Sequence, residues 1–267
     1  MTQETVRSAD GTTIAYHRQG DGPAVILVGG GLDDGTENVP LAAELATTCT
    51  VLNYARRGRA GSGDTPPYAL EREIEDLAAL LAVAGDRAHL FGASSGGALA
   101  LEAAAAGLPV GKIAVYEVPY LMGDDVLRQW CEYVAELHRA LAAGRNGDAV
   151  ALFMRLAGAG DEAIAGARSA PFWPSLEALA PTLAYDAACL GDGRPSASRF
   201  AAITQPVLVI TGAGDPNMPG LPADFFTQAA DALTATLPTA HHEMLAGQGH
   251  VADPKALATT LTTFYAT

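Results

Sequence analysis

The chain has 267 residues, 49% hydrophobic and 17% charged, which is enough apolar material for a full core and too little charge for a disordered protein. Its formal charge of −14, from 16 basic and 30 acidic residues, argues against nucleic acid as a partner, because Lys and Arg are what hold a phosphate backbone. Cys49, Cys131 and Cys189 are widely spaced with no C-x-x-C pair, so free thiols in a reducing compartment are expected rather than disulfides or zinc. The polar start MTQETVRSADG has no apolar signal core, and no run reaches the ~18 apolar residues of a membrane helix. A cytoplasmic protein with no membrane partner is the expectation. The composition leaves a homo-oligomer open.

Residues 13–18 (TIAYHR) alternate like an exposed hairpin strand, closed by Gly20-Asp21-Gly22. Residues 24–28 (AVILV) are continuously apolar, as a strand covered on both faces should be. A glycine run and a helical stretch at about 37–48 follow, then a strand at 50–54 (TVLNY). Over 71–84, Ile74, Leu77 and Leu81 share one face of an amphipathic helix. A strand at 88–91, an Ala-rich helix at 96–106 and a strand at 112–116 come next. Residues 206–211 (PVLVIT) are the strongest strand pattern, and helices near 222–234 and 254–265 flank a short segment around 235–239.

This alternation predicts an α/β fold, a mostly parallel twisted sheet with helices on both faces and right-handed crossovers. Residues 121–203 break it. They hold no convincing strand, while Val126, Trp130, Val134, Leu137 and Leu141 recur at helical spacing. The reading is a core of 1–120 and 204–267 with a helical cap, 121–203, inserted between two late strands.

Gly92-Ala93-Ser94-Ser95-Gly96 sits where strand 88–91 gives way to helix 96–106. A G-x-S-x-G in that setting is a nucleophile elbow, its serine on a strained turn at a helix N-terminus that favours negative charge. Ser94 is preferred over Ser95 because glycine flanks it at both spacings. The Ser95 amide is then one expected oxyanion donor. The second comes from Val28-Gly29-Gly30-Gly31-Leu32, with Gly31 preferred and Gly30 an alternative. A dinucleotide loop would need glycine where Asp34 stands.

A hydroxyl needs a base to take its proton. His250, in Gly247-Gln248-Gly249-His250 before the last helix, is the expected base, ahead of His241 and His242. The imidazole needs a carboxylate to set its tautomer. Asp215, in the turn after strand 206–211, is the expected acid, with Glu117 and Asp124 as alternatives; Ser94, Asp215, His250 is a chain order known for such triads. Trp130, Tyr133, Phe153, Phe172 and Trp173 are the expected lining of an apolar substrate pocket, against the plainer reading that they pack the cap onto the sheet. No metal motif, phosphate loop or cofactor fingerprint is present, so no cofactor is expected and the partner is a small-molecule substrate.

These segments, with Tyr54–Asp64 (YARRGRAGSGD) and Gly247–Pro254 (GQGHVADP), resemble the α/β-hydrolase superfamily over nearly the whole chain. Among its subgroups the chain is most similar to small bacterial esterases and cofactor-free haloperoxidase-like hydrolases with a helical cap. It departs from them at Gly29, where a histidine commonly precedes the oxyanion glycine, and at Ala55, where the D-R-R-G segment has aspartate. The resemblance implies a serine hydrolase acting on an ester, thioester or lactone through an acyl-enzyme. It disfavours the epoxide and haloalkane routes, which place a carboxylate where Ser94 stands. Carbon–carbon cleavage, a cyclase, or a non-catalytic ligand-binding member of the fold are the alternatives.

Overall fold

The computed structural model describes residues 3–85, 87–214, 218 and 221–266. Its strands are β1 (Gln3–Arg7), β2 (Thr13–Gln19), β3 (Ala24–Val28), β4 (Thr50–Tyr54), β5 (His89–Ala93), β6 (Ile113–Tyr116), β7 (Val207–Gly212) and β8 (Ala240–Leu245). They form one sheet in the order β1-β2-β4-β3-β5-β6-β7-β8. The pairs β1·β2 and β2·β4 are antiparallel, and every pair from β4·β3 to β7·β8 is parallel.

Helices cover both faces, and the strands supply both cores by alternation. In β3, Ile26 and Val28 enter one apolar cluster while Val25 and Leu27 enter the other. In β7, Val207 and Val209 divide from Leu208 and Ile210 in the same way. A strand buried on both sides is apolar at nearly every position, which is why these runs stood out in the sequence. One face carries α2 (Leu70–Ala84), α3 (Ser95–Ala105) and α10 (Phe225–Thr236); α1 (Val39–Leu45) and α11 (Pro254–Ala266) pack together on the other.

Two strands depart from the expectation. β1 lies in the polar N-terminal stretch, and β8 falls at 240–245 rather than around 235–239. Both are sheet edges with largely exposed residues, so neither needs the apolar pattern by which strands are recognised.

Between β6 and β7 the chain runs through α4 (Asp124–Ala142), α5 (Asn146–Leu156), α6 (Asp161–Arg168), α7 (Trp173–Leu179), α8 (Leu183–Leu190) and α9 (Ala197–Phe200). α4 packs on α5 and α8, and α8 in turn packs on α3 of the core. No helix among the described residues is long and apolar enough to cross a membrane. All three cysteines are free thiols, Cys49 and Cys189 buried and Cys131 exposed.

Candidate active site

Parallel strands place their carboxyl ends at one edge of the sheet. β3 lies between β4 and β5, so consecutive crossovers leave it in opposite directions and open a crevice beyond its end. Gly29 follows β3, Ser94 follows β5, and Glu117 follows β6. The register pairs Val28 with Gly92 and Ala93 with Tyr116, so Ser94 and Glu117 are the next residues of adjacent strands.

Ser94 has φ 53° and ψ −127°, a left-handed backbone conformation that is costly for a residue with a side chain. The flanking glycines permit the turn. A methyl on Gly92 would fall against Gly96 O and 2.6 Å from Gly97 Cα; one on Gly96 would meet Val28 O and lie 2.6 Å from Gly29 O. Gly96→Ala is therefore expected to lose about 1–3 kcal/mol of stability, read from its urea midpoint. An unchanged midpoint would remove the steric account of the motif.

The two serines, which both line one cavity, differ in their surroundings. Ser94 is half-buried and lines a cavity of about 400 Å³. Ser95 is 3% exposed, and its hydroxyl donates to Asp186 Oδ1 at 2.8 Å. Gly30, Gly31 and His250 line the same cavity. A side chain at Gly30 would touch Ser94 Cβ at 3.1 Å, and one at Gly31 would touch the Phe153 ring at 3.2 Å. Gly29 lies apart: any side chain there would strike the Asp33 carboxylate, which accounts for the missing histidine.

His250 Nδ1 lies 2.7 Å from Glu117 Oε2. A carboxylate only accepts, so the bond puts the proton on Nδ1 and leaves Nε2 with its lone pair. Glu117 is 3% exposed, and its other oxygen accepts the Gly212 amide at 2.9 Å. Its own backbone sits at φ 45°, with its amide donating to Ile210 O at 2.9 Å. The histidine is held from three further directions. Phe226 stacks on the ring at 4.9 Å, the Tyr116 hydroxyl donates to Gly249 O, and Gly214 N donates to Gln248 O at 2.7 Å. These contacts fix the imidazole in one orientation.

Asp215, the expected acid, lies outside the described residues. Of the two alternatives, Glu117 meets His250, while Asp124 begins α4 and pairs with Arg194 at 3.3 Å. His241 and His242 belong to β8, packed on Phe264 and bonded to Thr211 respectively. Among the expected pocket residues, Trp130, Tyr133 and Phe153 line the cavity. Phe172 and Trp173 do not. Phe172 is 55% exposed, and Trp173 is buried beneath the Arg168 guanidinium, packing the insertion rather than lining the cavity. No group of three metal-ligating side chains occurs among the described residues.

Three features escaped the sequence reading. Glu37 lines the cavity mouth, where burial and Asp33 raise its carboxyl against the opposing pull of His250. The other two are ionic. Arg56 makes a bidentate pair with Glu73 (2.7 Å on both arms) and reaches Asp186 at 2.6 Å. Arg59 meets the same Asp186 oxygen at 2.8 Å. Burial alone would push the Asp186 carboxyl up, but Arg59, Arg56 and the Ser95 hydroxyl outweigh it and hold it below its usual value. The run of arginines after β4 was the available signal; nothing in the sequence marks Asp186 as their partner 130 residues later.

A model of the alpha/beta hydrolase family matches residues 24–260, which include every strand from β3 to β8 and the cavity-lining segments just described. The chain belongs to that family. It is similar to a solved alpha/beta hydrolase from Sphaerobacter thermophilus, at 45% identity over 98% of this chain and 100% of that one, with a TM-score of 0.86. It shares its fold with an esterase from Thermogutta terrifontis (20% identity, 100% and 98% coverage, TM-score 0.70). The same holds for an enol-lactonase from Burkholderia xenovorans (23% identity, 98% and 100% coverage, TM-score 0.66). A segment of 96 residues is 35% identical to the uncharacterized hydrolase YraK of Bacillus subtilis, covering 34% of this chain and 35% of that protein. The chain spans about a third of the length of that curated relative.

Proposed function

We propose that this hydrolase cleaves esters, thioesters or lactones of small to medium, largely apolar acyl groups through Ser94, His250 and Glu117. Ser94 attacks the carbonyl and His250 Nε2 takes its proton. Glu117, in place of the Asp215 expected from the sequence, steadies the imidazolium. The amides of Gly31 and Ser95, with Gly30 alongside, receive the oxyanion; each donor is worth about 3 kcal/mol to the transition state. Water activated by His250 then releases the acid. The observation that carries this reading is the 2.7 Å contact between His250 and Glu117 at a cavity shared with Ser94.

Trp130, Tyr133, Phe153, Leu183, Leu190 and Phe225 give the cavity its apolar lining, which supports an apolar acyl group. Residues 121–203 act in this reading as the cap that closes over it. An esterase and an enol-lactonase carry the same fold, in keeping with carbonyl substrates of these classes.

The test is fluorophosphonate labelling of wild type and Ser94→Ala, with the adduct located by peptide mass spectrometry. Labelling at Ser94 that vanishes in the variant is expected. A folded wild type that resists the probe and leaves a panel of 4-nitrophenyl esters intact would falsify the assignment. Phe153→Ala opens space beside Gly31 and should move the preferred 4-nitrophenyl ester toward longer acyl chains, by roughly tenfold in relative kcat/KM. A chain-length profile identical to wild type would place the acyl group elsewhere.

A further inference from the structure

Arg56, Arg57 and Arg59 are at most 2% exposed, a concentration of buried charge that needs a reason. Arg57 is accounted for by Asp76 and Asp10, which tie the loop to α2 and to the β1–β2 turn. Arg56 and Arg59 do something different, because each holds the glycine loop after β3 and α8 of the insertion at the same time. Arg59 Nη1 donates to Gly30 O, and to Asp33 O at 3.1 Å. Arg56 Nη1 donates to Gly29 O at 3.3 Å. Both guanidiniums converge on Asp186 Oδ1, and the Ser95 hydroxyl donates to that same oxygen.

In a trans peptide the carbonyl and the following N–H point in opposite directions. Anchoring Gly30 O on Arg59 therefore turns the Gly31 N–H the other way. The Ser95 hydroxyl, tied to Asp186, likewise fixes the first residue of α3 and with it the Ser95 amide. One carboxylate thus governs both amides. Its loading is lopsided: three donors crowd Oδ1, while Oδ2 is buried with no partner among the described residues. Arg56 pairs with Glu73 and Asp186, and Arg59 with Asp186, with the Asp33 carboxylate close enough to Arg59 to feel its charge.

We propose that Asp186 is a positioning residue for the oxyanion site: it aligns the Gly31 and Ser95 amides through Arg59 and the Ser95 hydroxyl, so the site is complete only while α8 is docked on the core. α8 has other moorings at the same seam. The Tyr185 hydroxyl donates to Asp64 at 2.6 Å, and the Tyr185 ring stacks on Tyr68 at 3.8 Å. Movement of the insertion away from the core withdraws Asp186 and loosens both donors together, which couples closure to chemistry. This inference rests on the proposed role of Ser94.

The experiment compares two ketones of one length on wild type, Ser95→Ala and Asp186→Asn. In 1,1,1-trifluoro-2-octanone the carbonyl carbon accepts the Ser94 oxygen; the π pair moves to the carbonyl oxygen as an oxyanion and the serine proton goes to His250. 2-Octanone, far less electrophilic, reports binding of the chain without the adduct. Each variant is expected to weaken the fluorinated ketone by about tenfold or more and 2-octanone by no more than about twofold. Ser95→Ala keeps its amide and loses only the hydroxyl, so it carries the test if Asp186→Asn does not fold. Equal losses on both ketones, or no loss on either, overturn the positioning role. A wild type that does not prefer the fluorinated ketone overturns the Ser94 reading and this inference with it.

Discussion

Glu117→Gln is expected to lower kcat by about 10³–10⁴-fold while the protein stays folded. The glutamine carbonyl can still take the Gly212 amide, so the turn after β6 keeps its partner. Its NH₂ then faces His250 Nδ1, where a donor meets a donor. The imidazole answers by shifting its proton to Nε2, the atom that must accept from Ser94, and the base is lost. Steady-state hydrolysis of a 4-nitrophenyl ester, with circular dichroism to confirm folding, reads the effect. Glu117→Asp shortens the reach by one methylene and should fall between. Asp215→Asn is the decisive comparison: the proposal expects it to stay within a few-fold of wild type, by the same logic that assigns tautomer control to a single carboxylate. If Asp215→Asn carries the large loss and Glu117→Gln the small one, the acid is Asp215, as the sequence first suggested.

The second large effect concerns stability. Glu73→Ala leaves the Arg56 guanidinium buried without its bidentate partner, and a loss of about 3–5 kcal/mol is expected from urea unfolding. With Glu73 gone, Asp186 still opposes the depression that burial imposes on Arg56, and a guanidinium does not deprotonate in proteins, so the charge cannot escape by releasing its proton. Glu73 also accepts from Tyr68 at 2.9 Å, and its loss leaves that hydroxyl only the longer bond to Tyr185 O at 3.3 Å. Removing both ends of the pair tests the cause. Arg56→Met with Glu73→Leu should recover much of the loss, because a buried pair replaced by apolar side chains of similar size is often neutral or better. The double variant should still hydrolyse esters more slowly, since Arg56 also holds Gly29 O. A double variant no more stable than Glu73→Ala would mean that packing, not the stranded charge, sets the cost.

Much of this protein was legible from its residues. Strands buried on both faces are dominated by apolar residues, so β3 and β7 announced themselves, and the parallel sheet followed from the alternation of strands with helices. Gly92 and Gly96 reported the turn at Ser94 because a methyl at either would strike backbone, a constraint that composition cannot hide. The edge strands β1 and β8 were missed or misplaced because a half-solvated strand carries no such demand.

What only the tertiary structure decided are the partnerships between distant segments. The register of adjacent strands and the return of the 247–250 loop set Glu117 against His250, a contact between segments 133 residues apart that no local pattern records. Phe172 and Trp173 share the character of Trp130 and Phe153, yet the turn before α7 points them away from the cavity. Asp186 is the only charged residue of α8, and its pairing with Arg56 and Arg59 exists only because α8 folds back across α3. Local patterns record what each segment must bury. Which charge meets which is settled by the path of the chain, because a Coulombic contact needs proximity in space and leaves no period in the sequence.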